Sequence, residues 1–210
     1  MFAHRPDAGR RLGRHLAERG VVAAMVFGLP RGGVPVAAEV ARVLRLPLDV
    51  IVVRKLGLPA APEVAMGAIA EGGIRVVDDD LIRRAGVTPA ALRDVERRER
   101  DELERRAAAV RAHRPARPDL GGRTVLVVDD GIATGATASA ACRYARDEGA
   151  ARVIVAAPIG PRDAACLIVA ADEVICLAQP RSFRAVGEWY EDFAPTSDAE
   201  VVRLLAGTVG

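Results

Sequence analysis

Lysine, cysteine and aromatic residues are scarce in this sequence. Only Lys55 is lysine among thirty basic residues, and only seven residues are aromatic. The three cysteines, Cys142, Cys166 and Cys176, lack the spacing of a metal site or a disulfide framework, so each is predicted to be a small buried hydrophobic residue.

No apolar run is long enough to cross a bilayer. Residues 1–20 contain five arginines and no apolar block, unlike a secretory signal. A cytoplasmic location without membrane association is therefore expected.

Composition indicates an ordinary globular protein. Half of the 210 residues are hydrophobic and 28% are charged, which excludes a disordered chain. The formal net charge of +2 does not demand a nucleic-acid partner. The length suits a single domain spanning residues 1–210. Because the sequence otherwise uses arginine, Lys55 is a candidate for a role that needs a compact ammonium group.

Short apolar runs alternate with helical patterns over most of the chain. Continuous β-branched and apolar runs predict strands that are buried on both faces. Strands separated by helices predict an α/β fold, with a mostly parallel twisted sheet flanked by helices. The predicted strands are 21–27, 48–53, 124–128, 153–157 and 173–177, and the predicted helices are 7–19 (capped by Asp7), 34–44, 136–148 and 164–171.

The middle of the chain departs from this alternation and is predicted to be an insertion or flap over residues 56–122. Residues 56–62, rich in glycine and proline, predict a loop. Residues 64–69 and 74–77 predict a hairpin around Glu71–Gly73. Thr88 predicts the cap of a charged helix that begins at Pro89 and runs to about residue 112, with 115–122 ending it.

Two adjacent acids followed by a small-residue loop form the most informative motif. Asp129 and Asp130 end an apolar strand, at the edge where open α/β sheets bind ligands. Free N–H groups at the next helix start, with nearby hydroxyls, suit a phosphate. The two carboxylates suit neighbouring ribose hydroxyls. A ribose 5-phosphate is indicated, its phosphate bound by Ala133, Thr134, Gly135, Ala136 and Thr137.

Residues 125–137 resemble the phosphoribosyl pyrophosphate signature of type I phosphoribosyltransferases: four apolar residues, two acids, then a loop rich in threonine and glycine. Gly131 departs from that signature, which usually has an aliphatic residue there, and so predicts a looser loop. The whole chain resembles an uncharacterised branch of the family in which the domain occurs alone or fused to a hydrolase. Segments 28–35, 53–57, 63–70 and 183–193 carry that closer match.

The resemblance implies a pyrophosphate loop after the first strand. That loop would be Pro30, Arg31, Gly32 and Gly33, with a non-prolyl cis peptide at or next to Arg31. Arg54 and Lys55 follow the second strand and could face the same pyrophosphate, or could simply end a solvated strand. Glu63 and Glu71 could contact a metal or substrate, although their spacing does not demand it.

The C-terminal part of the chain is expected to form a hood over residues 179–195. In purine-type relatives an aromatic residue of the hood stacks on the base, which here points to Phe183 and to Trp189 or Tyr190; ordinary packing is the alternative. Hypoxanthine and guanine enzymes place a general-base aspartate where this chain has Ala133. A close match to purine salvage is therefore doubtful. The full flexible-loop pattern of orotate enzymes is missing as well.

The resemblance implies a Mg²⁺-dependent phosphoribosyltransferase that uses phosphoribosyl pyrophosphate and a nitrogenous base. Arg31, Lys55, Asp129 and Asp130 are the expected catalytic residues, the two acids contacting Mg²⁺ indirectly through ribose or water. A homodimer is implied only by the resemblance.

The alternative is a non-catalytic sensor of phosphoribosyl pyrophosphate or nucleotides, which could bind nucleic acid through the arginine-rich helix 93–117. Interleaved acids make that unfavourable and predict a solvated helix with internal ion pairs. A dinucleotide-binding oxidoreductase is a poorer choice, since residues 28–33 lack the required glycine spacing.

Overall fold

A computed structural model describes residues 1–113 and 118–207. The strands are β1 (Met25–Gly28), β2 (Leu48–Val50), β3 (Val53–Leu58), β4 (Ala61–Ala70), β5 (Arg75–Val77), β6 (Thr124–Val128), β7 (Arg152–Ile159) and β8 (Glu173–Ala178). The α-helices are α1 (Arg5–Glu18), α2 (Gly33–Leu44), α3 (Asp79–Arg84), α4 (Pro89–Arg111), α5 (Ala136–Asp147), α6 (Ala164–Leu167) and α7 (Asp198–Ala206). Short 3₁₀ turns occur at Glu71–Gly73 and Val186–Trp189.

The main sheet has five parallel strands in the order β2-β1-β6-β7-β8. The predicted α/β fold with a mostly parallel sheet is therefore confirmed. β1 and β6 are neighbours, with Gly28 in register with Val128. The loops that leave these two strands consequently start side by side at the carboxyl edge of the sheet.

Both faces of the main sheet are buried, which explains why its strands are almost continuously apolar. In β6, Leu126 and Val128 belong to the core on the side of α1 and α2. The alternate residues, Val125 and Val127, belong to the core on the side of α5. The alternation of side chains along a strand thus supplies both layers.

A second, antiparallel sheet of order β3-β4-β5 occupies the middle of the chain. The predicted hairpin around Glu71–Gly73 is confirmed. The predicted loop 56–62 is wrong, because most of it lies in β3 and β4. A Cβ on Gly57 would lie 2.3 Å from the Pro62 carbonyl oxygen, so glycine permits a close, irregular pairing rather than a loop. The predicted strand 48–53 is divided between β2 and β3, in different sheets.

The predicted cap of α1, start of β1 and end of α6 are wrong. The cap of α1 is His4, whose Nδ1 accepts from the Asp7 N–H, rather than Asp7. β1 begins only at Met25, since residues 21–24 connect it to α1, and α6 ends four residues before the predicted 171. The start of α4 is confirmed, with Thr88 Oγ1 accepting from Ala91 N–H at 3.2 Å. Its end at Arg111 agrees with the predicted end near residue 112, while residues 115–117 of the predicted terminating segment 115–122 lie outside the described residues.

Helices α3 and α7 were not predicted. The prediction of three buried cysteines is right for Cys142 and wrong for Cys166, which is exposed, while Cys176 is half-buried. Within residues 1–113 and 118–207, no helix has the length and apolar character needed to cross a membrane.

Candidate functional site

An open cleft of about 1020 Å³ lies at the carboxyl edge of the main sheet. Its walls come from the loops after β1 and β6, from β3, from α4 and from the C-terminal segment 184–196. Nine predicted site residues lie together on the wall of this cleft: Pro30, Arg31, Gly32, Arg54, Lys55, Asp129, Asp130, Ala133 and Thr137. Predicted residues outside the wall are Gly33, Thr134, Gly135, Ala136, Phe183, Trp189 and Tyr190.

The acidic pair lies where β6 ends, and its two carboxylates have different partners. Asp129 Oδ1 accepts from the backbone N–H of Asp130 at 2.9 Å. Asp130 Oδ2 accepts from Nε of Arg5 at 2.8 Å. Burial, and then the negative charge of Asp130, raise the pKa of Asp129 to about 8, while the positive charge of Lys55 opposes this. A ligand that brings positive charge would favour the ionised form of Asp129.

Arg5 is the main site residue that the sequence did not reveal. Besides Asp130, its guanidinium donates from Nη1 to the Ala194 carbonyl oxygen at 2.7 Å and lies 3.8 Å above the Phe193 ring centroid. Arg5 is 9% exposed although it opens the first helix. No local pattern could have identified it, because its partners lie 125 and 189 positions away.

The loop after β1 packs directly on the acidic pair. A Cβ on Gly32 would lie 2.0 Å from Asp130 Oδ2, and one on Gly33 would lie 2.8 Å from the Val128 carbonyl oxygen. The predicted cis peptide is confirmed between Pro30 and Arg31. Glycine at both positions is therefore required for the loop to approach the end of β6 this closely.

Arg31 extends from this loop toward α7. Its guanidinium lies 3.8 Å from an oxygen of Asp198, and both side chains are well exposed. Such an exposed pair is weak, so Arg31 remains able to turn to an anionic ligand.

The loop after β6 leads to α5 and suits an anion. Gly135 occupies the N-cap position of α5 in a left-handed conformation (φ +74°), and without a side chain it leaves the first-turn N–H groups uncapped. Ala133 and Thr134 are exposed, and Thr137 lines the cleft. The helix start thus offers donors and a favourable dipole to a phosphate.

Gly131, the departure from the family signature, is packed tightly. A Cβ there would lie 2.5 Å from Val186 Cγ1 and 2.9 Å from Ile159 Cγ2. The expectation of a looser loop is therefore wrong: the C-terminal segment supplies an aliphatic side chain where the glycine has none.

Arg54 and Lys55 on β3 differ in their freedom to bind a ligand. Arg54 is engaged by Glu99 of α4, with Nε 2.9 Å and Nη2 2.6 Å from Glu99 Oε2. Lys55 is exposed, and within the described chain it makes no ion pair. Of the two, Lys55 is the cation available to an incoming anion.

The aromatic residues of the C-terminal segment pack mainly against one another. Tyr190 is buried between Phe2 and Phe193, with ring centroids 5.4 and 5.0 Å away, and its hydroxyl donates to the Asp130 carbonyl oxygen at 2.6 Å. Burial raises the pKa of Tyr190. Phe183 and Trp189 pack against this same cluster. Phe193 reaches the cleft, where the Arg5 guanidinium covers its ring.

Helix α4 is a wall of the cleft as well as a charged surface helix. The predicted internal ion pairs are present, including Asp94 with Arg97 and Glu102 with both Arg105 and Arg106. Its other face is not solvated as predicted, because Val95, Leu103 and Val110 are buried. Residues 114–117, the end of the predicted 93–117 helix, lie outside the described residues.

The carboxylates at the cleft are the candidate ligands for a magnesium ion. In the part of the chain that the structure describes, no three His, Cys, Asp or Glu side chains cluster as a metal site. Asp129 and Asp130 provide two adjacent carboxylates at the cleft. Mg²⁺ is commonly held by one or two carboxylates together with substrate phosphates rather than by an all-protein cage. The pair therefore fits a magnesium ion that arrives with a phosphorylated ligand.

Comparisons with known proteins agree with this geometry. The family model for the phosphoribosyl transferase domain matches residues 11–179. Curated proteins of Mycobacterium tuberculosis strains CDC 1551 and H37Rv, each named "Putative phosphoribosyl transferase", are 54% identical over 206 residues, which is 98% of this chain and 46% of theirs. The chain thus spans about half the length of these relatives. The crystal structure of TT1426 from Thermus thermophilus is 42% identical, with a TM-score of 0.80 and 100% coverage of both chains.

Proposed function

The chain belongs to the phosphoribosyl transferase family, and from that premise we propose that it transfers the phosphoribosyl group of phosphoribosyl pyrophosphate to a nitrogenous base and releases pyrophosphate. In this reaction the bond from C1′ of ribose to the pyrophosphate oxygen breaks, and a bond from C1′ to a base nitrogen forms. The observation that carries the proposal is the position of Asp129 and Asp130, between the glycine loop and the uncapped start of α5.

The acidic pair is assigned to the ribose. Arg5 holds the Asp130 carboxylate and Tyr190 holds the Asp130 backbone carbonyl, so the residue is fixed in place before a ligand arrives. Carboxylate oxygens accept hydrogen bonds from neighbouring hydroxyls. Asp129 would then also stabilise the positive charge that develops on the sugar as the C1′–oxygen bond breaks.

The two phosphate ends of the substrate are assigned to opposite sides of the acidic pair. The 5-phosphate fits the start of α5, where Thr134, Thr137 and first-turn N–H groups are donors. The pyrophosphate fits the glycine loop after β1, with Arg31 and Lys55 as cations. These cations would offset the charge that accumulates on the departing pyrophosphate.

Asp129 and Asp130 would hold Mg²⁺ through ribose or water, and the ion would neutralise pyrophosphate charge. Arg54 would act chiefly by fixing α4 to β3 through Glu99, which keeps the cleft wall in place. A homodimer remains an expectation from the family resemblance.

A non-catalytic sensor of phosphoribosyl pyrophosphate or nucleotides is the second candidate. Ala133 favours it, because the residue on the cleft wall cannot remove a proton from a base. A transferase with this site needs either an acceptor that is already nucleophilic or another proton acceptor.

The test is calorimetry of phosphoribosyl pyrophosphate with Mg²⁺. Wild type should bind, and Asp129→Asn/Asp130→Asn should not. Asp79→Asn/Asp80→Asn is the matched control, since it neutralises an adjacent acid pair that is exposed on α3 and should leave binding unchanged. If well-folded wild type fails to bind, the proposal is wrong. Binding without base-dependent pyrophosphate release would favour the sensor.

A further inference from the structure

Thr196 is a buried polar residue on the cleft wall. It is 6% exposed, and among the described residues its hydroxyl makes no hydrogen bond. Ser139, which is 9% exposed, instead donates to the Leu167 carbonyl oxygen. Buried hydroxyls in folded proteins are nearly always hydrogen-bonded, so the Thr196 hydroxyl is suited to a ligand in the cleft.

Arg5 offers a second donor beside the same segment. Its Nε is taken by Asp130 and its Nη1 by the Ala194 carbonyl oxygen, two residues before Thr196. The remaining nitrogen, Nη2, has no acceptor in the described chain. Stacking on Phe193 and the two hydrogen bonds fix the guanidinium plane, so Nη2 is held in place before a ligand binds.

The available groups on this wall are better suited to hydrogen bonding than to stacking. Phe193 is already covered by Arg5, and Tyr190 lies within the aromatic cluster. A guanidinium nitrogen can only donate, and a threonine hydroxyl can donate as well. A single ligand atom that satisfies both must accept two hydrogen bonds, which an exocyclic oxygen can do through its two lone pairs and a ring nitrogen with one lone pair cannot.

We propose that Arg5 Nη2 and Thr196 Oγ1 recognise an exocyclic oxygen, carboxylate or oxo, on the acceptor base. This inference rests on the proposed transferase function and names its acceptor class. Ala133 is consistent with that class, because a ring nitrogen conjugated to such an oxygen, or a base that is already anionic, depends less on a protein proton acceptor. Thr196 and Arg5 are then specificity-determining residues.

The experiment compares bases by calorimetry in the presence of ribose 5-phosphate, pyrophosphate and Mg²⁺. The probes are orotate, nicotinate, hypoxanthine and uracil, which carry exocyclic oxygens, and adenine, which carries none. At least one of the first four should bind about tenfold more tightly than adenine. Thr196→Val, similar in volume, should weaken that base about tenfold, whereas Thr196→Ser should retain the affinity.

Phosphoribosyl pyrophosphate is titrated separately into each variant, and its affinity should stay unchanged. If wild type binds phosphoribosyl pyrophosphate but none of the oxygen-bearing bases, or binds adenine best, the acceptor inference fails and the proposed function stands. Unchanged base affinity in Thr196→Val also overturns the inference. Failure of wild type to bind phosphoribosyl pyrophosphate overturns both proposals.

Discussion

Nε of Arg5 donates a 2.8 Å hydrogen bond to Oδ2 of Asp130, joining the first helix to the end of the central strand β6. The two side chains are only 10% and 16% exposed. From the other end of the chain, the Tyr190 hydroxyl donates to the Asp130 carbonyl oxygen at 2.6 Å. Two residues remote in sequence thus hold Asp130, Arg5 through the carboxylate and Tyr190 through the backbone carbonyl.

Removing Arg5 should therefore affect both stability and ligand binding. Arg5→Ala leaves a largely buried carboxylate unpaired and removes the stacking on Phe193. We expect the free energy of unfolding to fall by about 3 kcal/mol, because uncompensated buried charges are costly. The affinity for phosphoribosyl pyrophosphate should fall as well. Urea denaturation and calorimetry measure the two effects.

Arg11→Ala is the matched control for Arg5→Ala. Arg11 lies on the same helix and stacks on Phe2, with 4.7 Å from Cζ to the ring centroid, but its side chain is 43% exposed. Its removal should cost less than about 1 kcal/mol and leave ligand affinity unchanged. Equal losses in the two variants would contradict a special role for Arg5.

The position of the acidic pair was predictable because strong local signals agree there. An apolar strand, two acids and a small-residue loop fix Asp129 and Asp130 at the carboxyl edge of the sheet, and β6 has the predicted bounds. The glycine loop and its cis peptide next to Arg31 were likewise predicted, from the family resemblance.

The parts that escaped prediction depend on long-range packing. Arg5 looks like any other arginine on a surface helix, and only the fold brings it to Asp130. The Gly57 region was predicted as a loop because glycine and proline usually interrupt strands, but here glycine permits close pairing with Pro62. The packing of Val186 against Gly131 also joins segments that no local pattern connects.

A buried ion network should make Arg111 important for stability. Its guanidinium bonds to Asp49 at 3.2 Å, to Glu71 at 3.2 Å and to the Val50 carbonyl oxygen at 3.1 Å. The carboxylates are only 5% and 3% exposed. Arg111→Ala would remove this cation while both carboxylates stay shielded from solvent. We therefore expect the free energy of unfolding, measured by urea denaturation, to fall by about 3–5 kcal/mol.

Arg97→Ala provides the comparison for Arg111→Ala. Arg97 pairs with Asp94 on the same helix, with side chains 69% and 63% exposed. Solvent screens such a pair, so the cost should stay below about 1 kcal/mol. A similar cost for both substitutions would show that the Arg111 network does not hold α4 to the sheet.

The contact between Gly131 and Val186 predicts a compensating pair of substitutions. Gly131→Ala places a methyl group 2.5 Å from Val186 Cγ1 and should destabilise the protein by about 1–3 kcal/mol through overpacking. Val186→Ala removes the clashing methyl groups. The double variant should therefore lose about 1 kcal/mol less unfolding free energy than the two single variants lose together. A double-mutant cycle measures this difference. Purely additive effects would mean that the clash is relieved elsewhere.

The pH dependence of stability should report the half-buried carboxyl of Asp129. Its pKa rises from 3.8 to about 8 on folding, so between these values the folded protein keeps a proton that the unfolded chain releases, and stability falls as pH increases. Asp129→Asn has no proton to lose, and Asn Oδ1 can still accept from the Asp130 N–H. Its stability relative to wild type should therefore increase from about pH 4 to about pH 8, by on the order of a few kcal/mol, in urea denaturation. Asp79→Asn, exposed on α3, supplies the baseline. A relative stability that is flat or falls with pH would mean that Asp129 is already ionised throughout this range in the folded protein.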